Sequence, residues 1–122
     1  MSPTTAPGKI AYVQIPATDV DRSAEFYEAV FGWNIRRRGD GELAFDDTVG
    51  EVSGTWVTNR PPSSEPGLLL YIMVESVERA LEKVVDAGGE VVTPLTGQGE
   101  GEAFATFRDL AGNVIGVFEQ PS

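Results

Sequence analysis

The sequence predicts an α+β fold made of two βαβββ modules that follow one another along the chain. Three observations predict it: the two halves repeat each other, each half places an amphipathic helix after a β-branched strand, and each half ends with the same turn motif. The chain has 122 residues, the size of one ordinary domain. The expected segments are a flexible tail (1–8), a first module (9–57), a linker (58–67) and a second module (68–120).

The internal repeat appears when the second half is aligned with the first. At an offset of 57 residues Ile15 matches Ile72, and the two amphipathic stretches that follow also match. At an offset of 62, toward the end of each half, Phe45 matches Phe107. Two matched blocks in the same order indicate a duplication, and the change of offset between them predicts an insertion in a loop.

Each half is predicted to begin with a strand and a helix. The strands are apolar, β-branched runs over residues 9–17 and 68–74. Apolar residues at helical spacing follow, with Asp19 (or Thr18) and Ser76 as N-caps. Gly32 and the pair Gly88-Gly89 are expected to end the helices, because glycine adopts the left-handed conformation of a helix C-terminus easily.

Three short strands are predicted after each helix. They cover residues 33–37, 42–45 and 52–57 in the first half, and 91–93, 103–107 and 114–118 in the second. An Asp-x-x-Gly turn joins the last two strands of each half, at residues 47–50 and 109–112. The Asp side chain can cap such a turn, and the Gly provides a positive φ.

Strand alternation divides the side chains of the opening strands between two faces of a sheet. Ile15 and Ile72 are predicted on the face that the helices cover. The opposite face is predicted to hold Tyr12, Gln14, Leu69, Tyr71 and Met73. A curved sheet would enclose this apolar face as an aromatic pocket. The alternative, that these side chains fill the space between two sheets, stays open at this point.

Charge and missing residue types exclude several classes of function. Nineteen acidic and nine basic residues give a net charge of −10, which disfavours nucleic acid and anionic membranes as partners. The chain has no cysteine and no histidine, so disulfides, thiolate nucleophiles, imidazole metal ligands and Ser-His-Asp triads are excluded. No apolar run approaches the ~20 residues that cross a bilayer, and we expect a cytoplasmic protein.

Three charged features have more than one interpretation. Arg36, Arg37 and Arg38 fit an anion site or an edge strand protected by charge. Asp46 and Asp47 fit a site for a hard cation or a turn. The Gly-rich loop over 97–101, with Glu100 and Glu102, fits a lid over the cavity or an ordinary flexible loop.

Two segments of the sequence form specific motifs. The first is Ile15-Pro-Ala-Thr-Asp19 followed by Arg22, Phe26-Tyr27 and Val30-Phe31-Gly32-Trp33, and the second is Phe107-Arg-Asp-Leu-Ala-Gly-Asn-Val-Ile115. Together they resemble the vicinal oxygen chelate superfamily, also called the glyoxalase/bleomycin-resistance/dioxygenase fold. The resemblance covers residues 9–120 and implies a curved mixed sheet around a ligand cavity. It also implies a homodimer whose modules pair within one chain or between two. It further places Gly54, Trp56, Gly116 and Phe118 on the cavity face.

The metal site of that superfamily has no counterpart in this sequence. Members usually hold a divalent metal through His, Gln or Glu at four strand positions, and these positions fall on Tyr12, Gly54, Leu69 and Gly116. None of the four is a usual side-chain ligand. Gln14 and Glu119 lie near two of the positions but not at them. The resemblance therefore implies a member without a metal or another cofactor.

The sequence thus predicts a metal-independent protein that sequesters a small molecule, an aromatic or cationic drug or secondary metabolite, as bleomycin-resistance proteins do. Trp56, Tyr71 and Phe118 would stack on the ligand, and Tyr12 and Gln14 would orient it. The alternative is a metal-independent lyase or isomerase that uses the same cavity, with Tyr12 or Tyr71 as an acid. A third class is a module with a closed cavity that only pairs with another protein.

Overall fold

A computed structural model describes residues 7–97 and 103–119 and confirms the βαβββ order in both halves. The first half contains β1 (Tyr12–Pro16), α1 (Val20–Phe31), β2 (Asn34–Arg37), β3 (Leu43–Asp46) and β4 (Ser53–Val57). The second contains β5 (Tyr71–Met73), α2 (Val77–Asp86), β6 (Glu90–Thr96), β7 (Ala103–Arg108) and β8 (Val114–Glu119). Most of the predicted tail, most of the Gly-rich loop, and Glu100 and Glu102 lie outside the described residues.

Each half forms its own four-stranded mixed sheet. The strand orders are β1-β4-β3-β2 and β5-β8-β7-β6, and the opening strand of each half is parallel to the closing strand. The remaining pairs are antiparallel hairpins. Along the described ranges the two sheets are not hydrogen-bonded to each other, so one chain does not close them into a single wall around a cavity.

The predicted N-caps and the predicted C-cap of α1 are confirmed, whereas α2 has Ala87 as its C-cap, just before Gly88. The side chains of Asp19 and Ser76 accept hydrogen bonds from the N–H groups of Arg22 and Arg79, at 3.2 Å in both helices. Gly32 ends α1 with φ of 74°, a conformation in which glycine avoids a steric clash. No helix within the described ranges is long and apolar enough to cross a membrane.

The two modules share one core because their helices pack against each other as well as on their own sheets. The ring of Phe107 in the second sheet lies 6.0 Å from Phe26 and 5.8 Å from Phe31, both in α1. The amphipathic pattern therefore buries one side of each helix in this shared core and leaves the other side exposed. The sheet faces that point away from the helices are left open on the outside.

A buried polar joint holds the modules together. The hydroxyl of Tyr27 donates to Asp109 at 2.7 Å, and the side-chain amide of Asn113 donates to the carbonyl of Pro16 at 2.7 Å. The N–H of Ser63, in the linker, donates to the side-chain oxygen of Asn113 at 2.7 Å. Burial, and then the charge of Asp109, raise the pKa of Tyr27 well above its ordinary value, so the phenol stays protonated and remains a donor.

Candidate functional site

The two closing hairpins differ by one residue, and this difference decides which side chains share a face. The N–H of Asp47 donates to the carbonyl of Val52, whereas the N–H of Asp109 donates to the carbonyl of Asn113. The first hairpin is therefore one residue longer. Phe45 and Phe107 still correspond at an offset of 62, but β4 and β8 correspond at 61, because Thr55 pairs beside Gln14 as Gly116 pairs beside Tyr71.

A shift of one residue in a strand moves every side chain to the other face of the sheet. Gly54 pairs with Phe45 and Trp56 pairs with Ile15, so both lie on the helix-covered face. The prediction that they share the cavity face with Gly116 and Phe118 was therefore wrong. The ligand position that the resemblance placed at Gly54 is also not on the open face.

Trp56 belongs to the hydrophobic core of the first module. Only 5% of it is exposed, and its ring lies 5.0 Å from the ring of Phe45 and 6.1 Å from that of Tyr27. Its Nε1–H is buried and has no hydrogen-bond partner among the described residues. Gly54 makes room for this packing, since a Cβ there would overlap the carbonyl oxygen of Val13.

The open face of the second sheet is aromatic, as predicted for this half. Register places Tyr71 beside Gly116, and Met73 beside Phe118. The Tyr71 ring lies directly over Gly116, because a Cβ at that position would be 2.5 Å from Cδ1 of the ring. Phe104 packs edge-on against Tyr71, with 6.4 Å between ring centroids. Tyr71 and Met73 are 48% and 64% exposed, so this surface is available to a ligand or a second chain. Leu69 lies just before β5 and is half-buried.

The open face of the first sheet is polar instead. Tyr12 and Gln14 lie there as predicted, beside Ser53 and Thr55 of β4. Tyr12 is 47% exposed, and its hydroxyl accepts a hydrogen bond from Nη1 of Arg38 at 3.1 Å. The two sheets therefore offer different chemistry on equivalent faces.

An ion pair continues this polar face. Arg36 donates to both carboxylate oxygens of Asp46, at 2.9 and 3.2 Å, and the hydroxyl of Ser53 donates to the same carboxylate at 2.6 Å. The hydrogen bond from Arg36, and then that from Ser53, hold the pKa of Asp46 below its ordinary value. Arg36 is thus neutralised by a neighbour, which weakens the anion-site interpretation for that residue.

The other acidic residues considered as cation ligands have structural roles. The Asp47 side chain accepts from the N–H groups of Val49 and Glu51, which makes it the cap of its turn. Glu119 accepts from the N–H of Val77 at 2.8 Å, at the start of α2. Over residues 7–97 and 103–119, no three His, Cys, Asp or Glu side chains are grouped so that they could hold a metal ion.

Two cavities of the described residues lie away from both open faces. One of about 480 Å³ lies between α2 and β6, and one of about 220 Å³ lies where the linker meets the end of β1. Neither is lined by a residue predicted to bind the ligand. These two cavities are therefore distinct from the predicted ligand site.

The family model of the Glyoxalase/Bleomycin resistance protein/Dioxygenase superfamily matches residues 9–117. The chain belongs to this superfamily. A glyoxylase-like domain-containing protein of Didymella fabae is 28% identical over 93% of this chain and 95% of its own length. The anthracycline biosynthesis protein DnrV of Streptomyces peucetius is 26% identical over 94% of this chain, which spans about half (48%) of that relative.

Solved structures of the superfamily share the same arrangement of elements. A glyoxalase family protein of Bacillus cereus has a TM-score of 0.76 at 14% identity, over 97% of both chains. At this identity the likeness establishes the fold alone. It confirms two tandem βαβββ modules, and it leaves the ligand to be argued from this chain's own residues.

Sequence reasoning missed one residue of the open faces, Phe104, and one contact, that of Arg38 with Tyr12. Phe104 joins Tyr71 because it pairs with Phe118 across β7 and β8, a register that the lone sequence does not reveal. Arg38 reaches Tyr12 from just beyond β2. Strand alternation predicted that Arg38 lies on the same face as Arg36. Its partner Tyr12 is 26 residues away in the sequence, and their contact depends on the order of the strands in the sheet.

Proposed function

We propose that this superfamily member is a metal-independent protein that binds a planar aromatic small molecule and sequesters it, at work in the cytoplasm. The observation that carries the proposal is the exposed aromatic face of the second sheet, where the Tyr71 ring lies over Gly116 and packs edge-on against Phe104. A half-exposed aromatic cluster on a rigid sheet offers stacking area to a planar ligand. The related anthracycline biosynthesis protein is consistent with a planar polycyclic class of ligand.

The proposal assigns different tasks to the two open faces. Tyr71, Met73 and Phe118 on the second sheet supply the apolar contact, and Leu69 and Gly116 complete that face. Tyr12 and Gln14 on the first sheet supply hydrogen bonds that orient the ligand. Gly54 and Trp56 have no part in it, because both lie on the helix-covered face.

The proposal also includes a homodimer. In one chain both faces are open, and Tyr71 and Met73 remain half or more exposed. A second copy that covers these faces would turn two open surfaces into one enclosed cavity and remove apolar side chains from water. Sedimentation equilibrium measures this directly. A monomer at concentrations at which the ligand already binds would contradict the dimeric part of the proposal.

A thermal-shift panel of metals and planar polycyclic compounds tests the binding function. A ligand that binds only the folded protein raises the melting temperature according to RT ln(1 + [L]/Kd). We expect a shift with planar compounds that is lost in Tyr71→Ala and retained in Val49→Ala, a control that shortens an exposed apolar side chain in the first hairpin. A shift with zinc, nickel, iron or manganese that a chelator abolishes would overturn the metal-independent function. A planar-ligand shift unchanged in Tyr71→Ala would overturn the site.

A metal-independent lyase or isomerase is the second candidate, and the contact between Arg38 and Tyr12 favours it. A guanidinium group that donates to a phenol oxygen orients the ring and leaves the hydroxyl proton free to be donated to a ligand, as an acid catalyst requires. Turnover of a bound compound that is lost in Tyr12→Phe while binding persists would favour this candidate. Binding without turnover in the native protein would favour sequestration.

A further inference from the structure

The cavity between α2 and β6 is an apolar groove with an acidic rim, on the helix side of the second sheet. Its apolar lining is Leu81 and Val85 of the helix with Val91 and Leu95 of the strand. Its remaining lining residues are Glu78, Glu82 and Asp86, all on the helix. Val85 is 55% exposed, so the groove is open to solvent.

The fold does not require the outer part of this apolar lining, as the first module demonstrates. The position of α1 that matches Val85 at the repeat offset of 57 is Glu28. Helix α2 packs on the core through Val77, Ala80 and Val84, and Leu81 is half-buried against the same core. Val85 therefore extends the apolar stripe of α2 beyond what packing needs, toward the edge strand.

The rim carries only negative charge. Glu78, Glu82 and Asp86 are spaced four residues apart, which aligns them along one side of α2. None of the three has an ion-pair partner among the described residues, and no basic side chain from that part of the chain lines the groove. Neighbouring like charges on a helix repel each other, so a cation at the rim would be favoured.

We propose that this groove binds small organic cations with an apolar body, the class of hydrophobic amines. The apolar body would lie on Leu81, Val85, Val91 and Leu95, and the ammonium group would lie at the carboxylate rim. A volume of about 480 Å³ is within the ~300–1,000 Å³ range of small-molecule sites. This site is separate from the open sheet faces and does not depend on the proposed function.

The observations disfavour two other occupants. A peptide strand added to the edge of β6 would meet Pro94, which has no N–H, and register shifts on both sides of Thr93. A second copy that docked the same surface would bring six carboxylates together. Both facts favour a compact cationic ligand.

Fluorescence titration with dansylcadaverine, a dye with an apolar ring system and a terminal ammonium group, tests the site. Dansylamide is the neutral comparison. We expect dansylcadaverine to bind more tightly than dansylamide, and we expect added salt to weaken only dansylcadaverine. The triple variant Glu78→Gln/Glu82→Gln/Asp86→Asn should lower the affinity for dansylcadaverine about tenfold, because three screened charge contacts are lost together. Val85→Ser, which shortens the apolar lining without changing the charge, should weaken the binding of both dyes.

The matched control is Asp21→Asn/Glu25→Gln/Glu28→Gln, which removes the same three charges from the exposed side of α1. It should leave the affinity for dansylcadaverine unchanged. An equal loss in both triple variants would show a net-charge effect and overturn the site. Equal affinity for the two dyes would overturn the role of the rim. Loss of dansylcadaverine binding in Tyr71→Ala would place the dye on the open face, which would overturn the groove and leave the proposed function intact.

Discussion

Alanine substitutions at two strand glycines test the face assignment that separates the two modules. A methyl group at Gly54 would overlap the carbonyl oxygen of Val13 and lie 2.7 Å from Cε2 of Phe45. Val13 is held by the pairing of β1 with β4, so its backbone can move aside only if that pairing is disturbed. Overpacking a core costs about 1–3 kcal/mol, and a clash with fixed backbone puts Gly54→Ala at about 3 kcal/mol or more.

The same change at Gly116 meets a different neighbour. The added methyl group would lie 2.5 Å from the Tyr71 ring, which is 48% exposed and can rotate away. Replacing glycine with alanine within a strand also stabilises the folded state by about 0.5–1 kcal/mol, which offsets part of the cost of the clash. The net loss of unfolding free energy for Gly116→Ala is therefore expected to be about 1 kcal/mol or less.

Urea unfolding followed by tryptophan fluorescence measures both variants, since Trp33 and Trp56 both pack against Phe45. Thermal melts should agree, at about 4 °C per kcal/mol for a chain of this size. Gly39→Ala is the control, because nothing lies within 4 Å of a Cβ there, and its stability should be close to native. Equal losses at Gly54 and Gly116, or a larger loss at Gly116, would refute the one-residue difference between the hairpins.

Three further predictions concern the buried joint and the polar face. Tyr27→Phe removes the hydrogen bond to the buried Asp109 and should lower the unfolding free energy in urea by about 1.5–3 kcal/mol. An unchanged value would show that this hydrogen bond does not stabilise the contact between the modules. Asn113→Ala breaks contacts with both the linker and β1, so its loss in the same assay should exceed that of Tyr27→Phe. The pKa of Asp46 is lowered in the folded state, mainly by Arg36, so its contribution is present above the unfolded value of about 3.9 and is lost as pH falls through the folded pKa. Melting temperatures across the acid range should therefore fall less steeply for Asp46→Asn than for the native protein, and parallel curves would contradict this.

The sequence was sufficient for the architecture because several local patterns agree. The helices begin at Asp19 and Ser76 as predicted, and both Asp-x-x-Gly turns form with their glycines at φ of 72° and 99°. Caps, turns and apolar periodicity are local properties of the chain, and a duplicated pattern doubles the evidence for each of them. The opening strands also show the predicted alternation, with Ile15 buried and Tyr12 exposed.

Local sequence patterns could not predict which residues lie on each open face. The segments Gly54-Thr-Trp56 and Gly116-Val-Phe118 have the same pattern, a glycine followed by one other residue and then an aromatic residue. They match at the offset of 62, which also aligns the turns before them. The extra residue is absorbed between Asp47 and Val52, and the closing hydrogen bond and the strand register reveal it. Because strand side chains alternate with a period of two, this single residue reverses the assignment of Trp56.

The same single residue gives the two modules different surfaces. Had β4 kept the register of β8, Trp56 would occupy the open face of the first sheet, as Phe118 occupies that of the second. Instead, Ser53 and Thr55 lie there, with Tyr12 held by Arg38 nearby. Two equal aromatic faces would suit a ligand that is apolar on both sides. One aromatic and one hydrogen-bonding face suit a ligand with a planar body and polar edge groups, and the register difference therefore narrows the class of ligand that we propose for these faces.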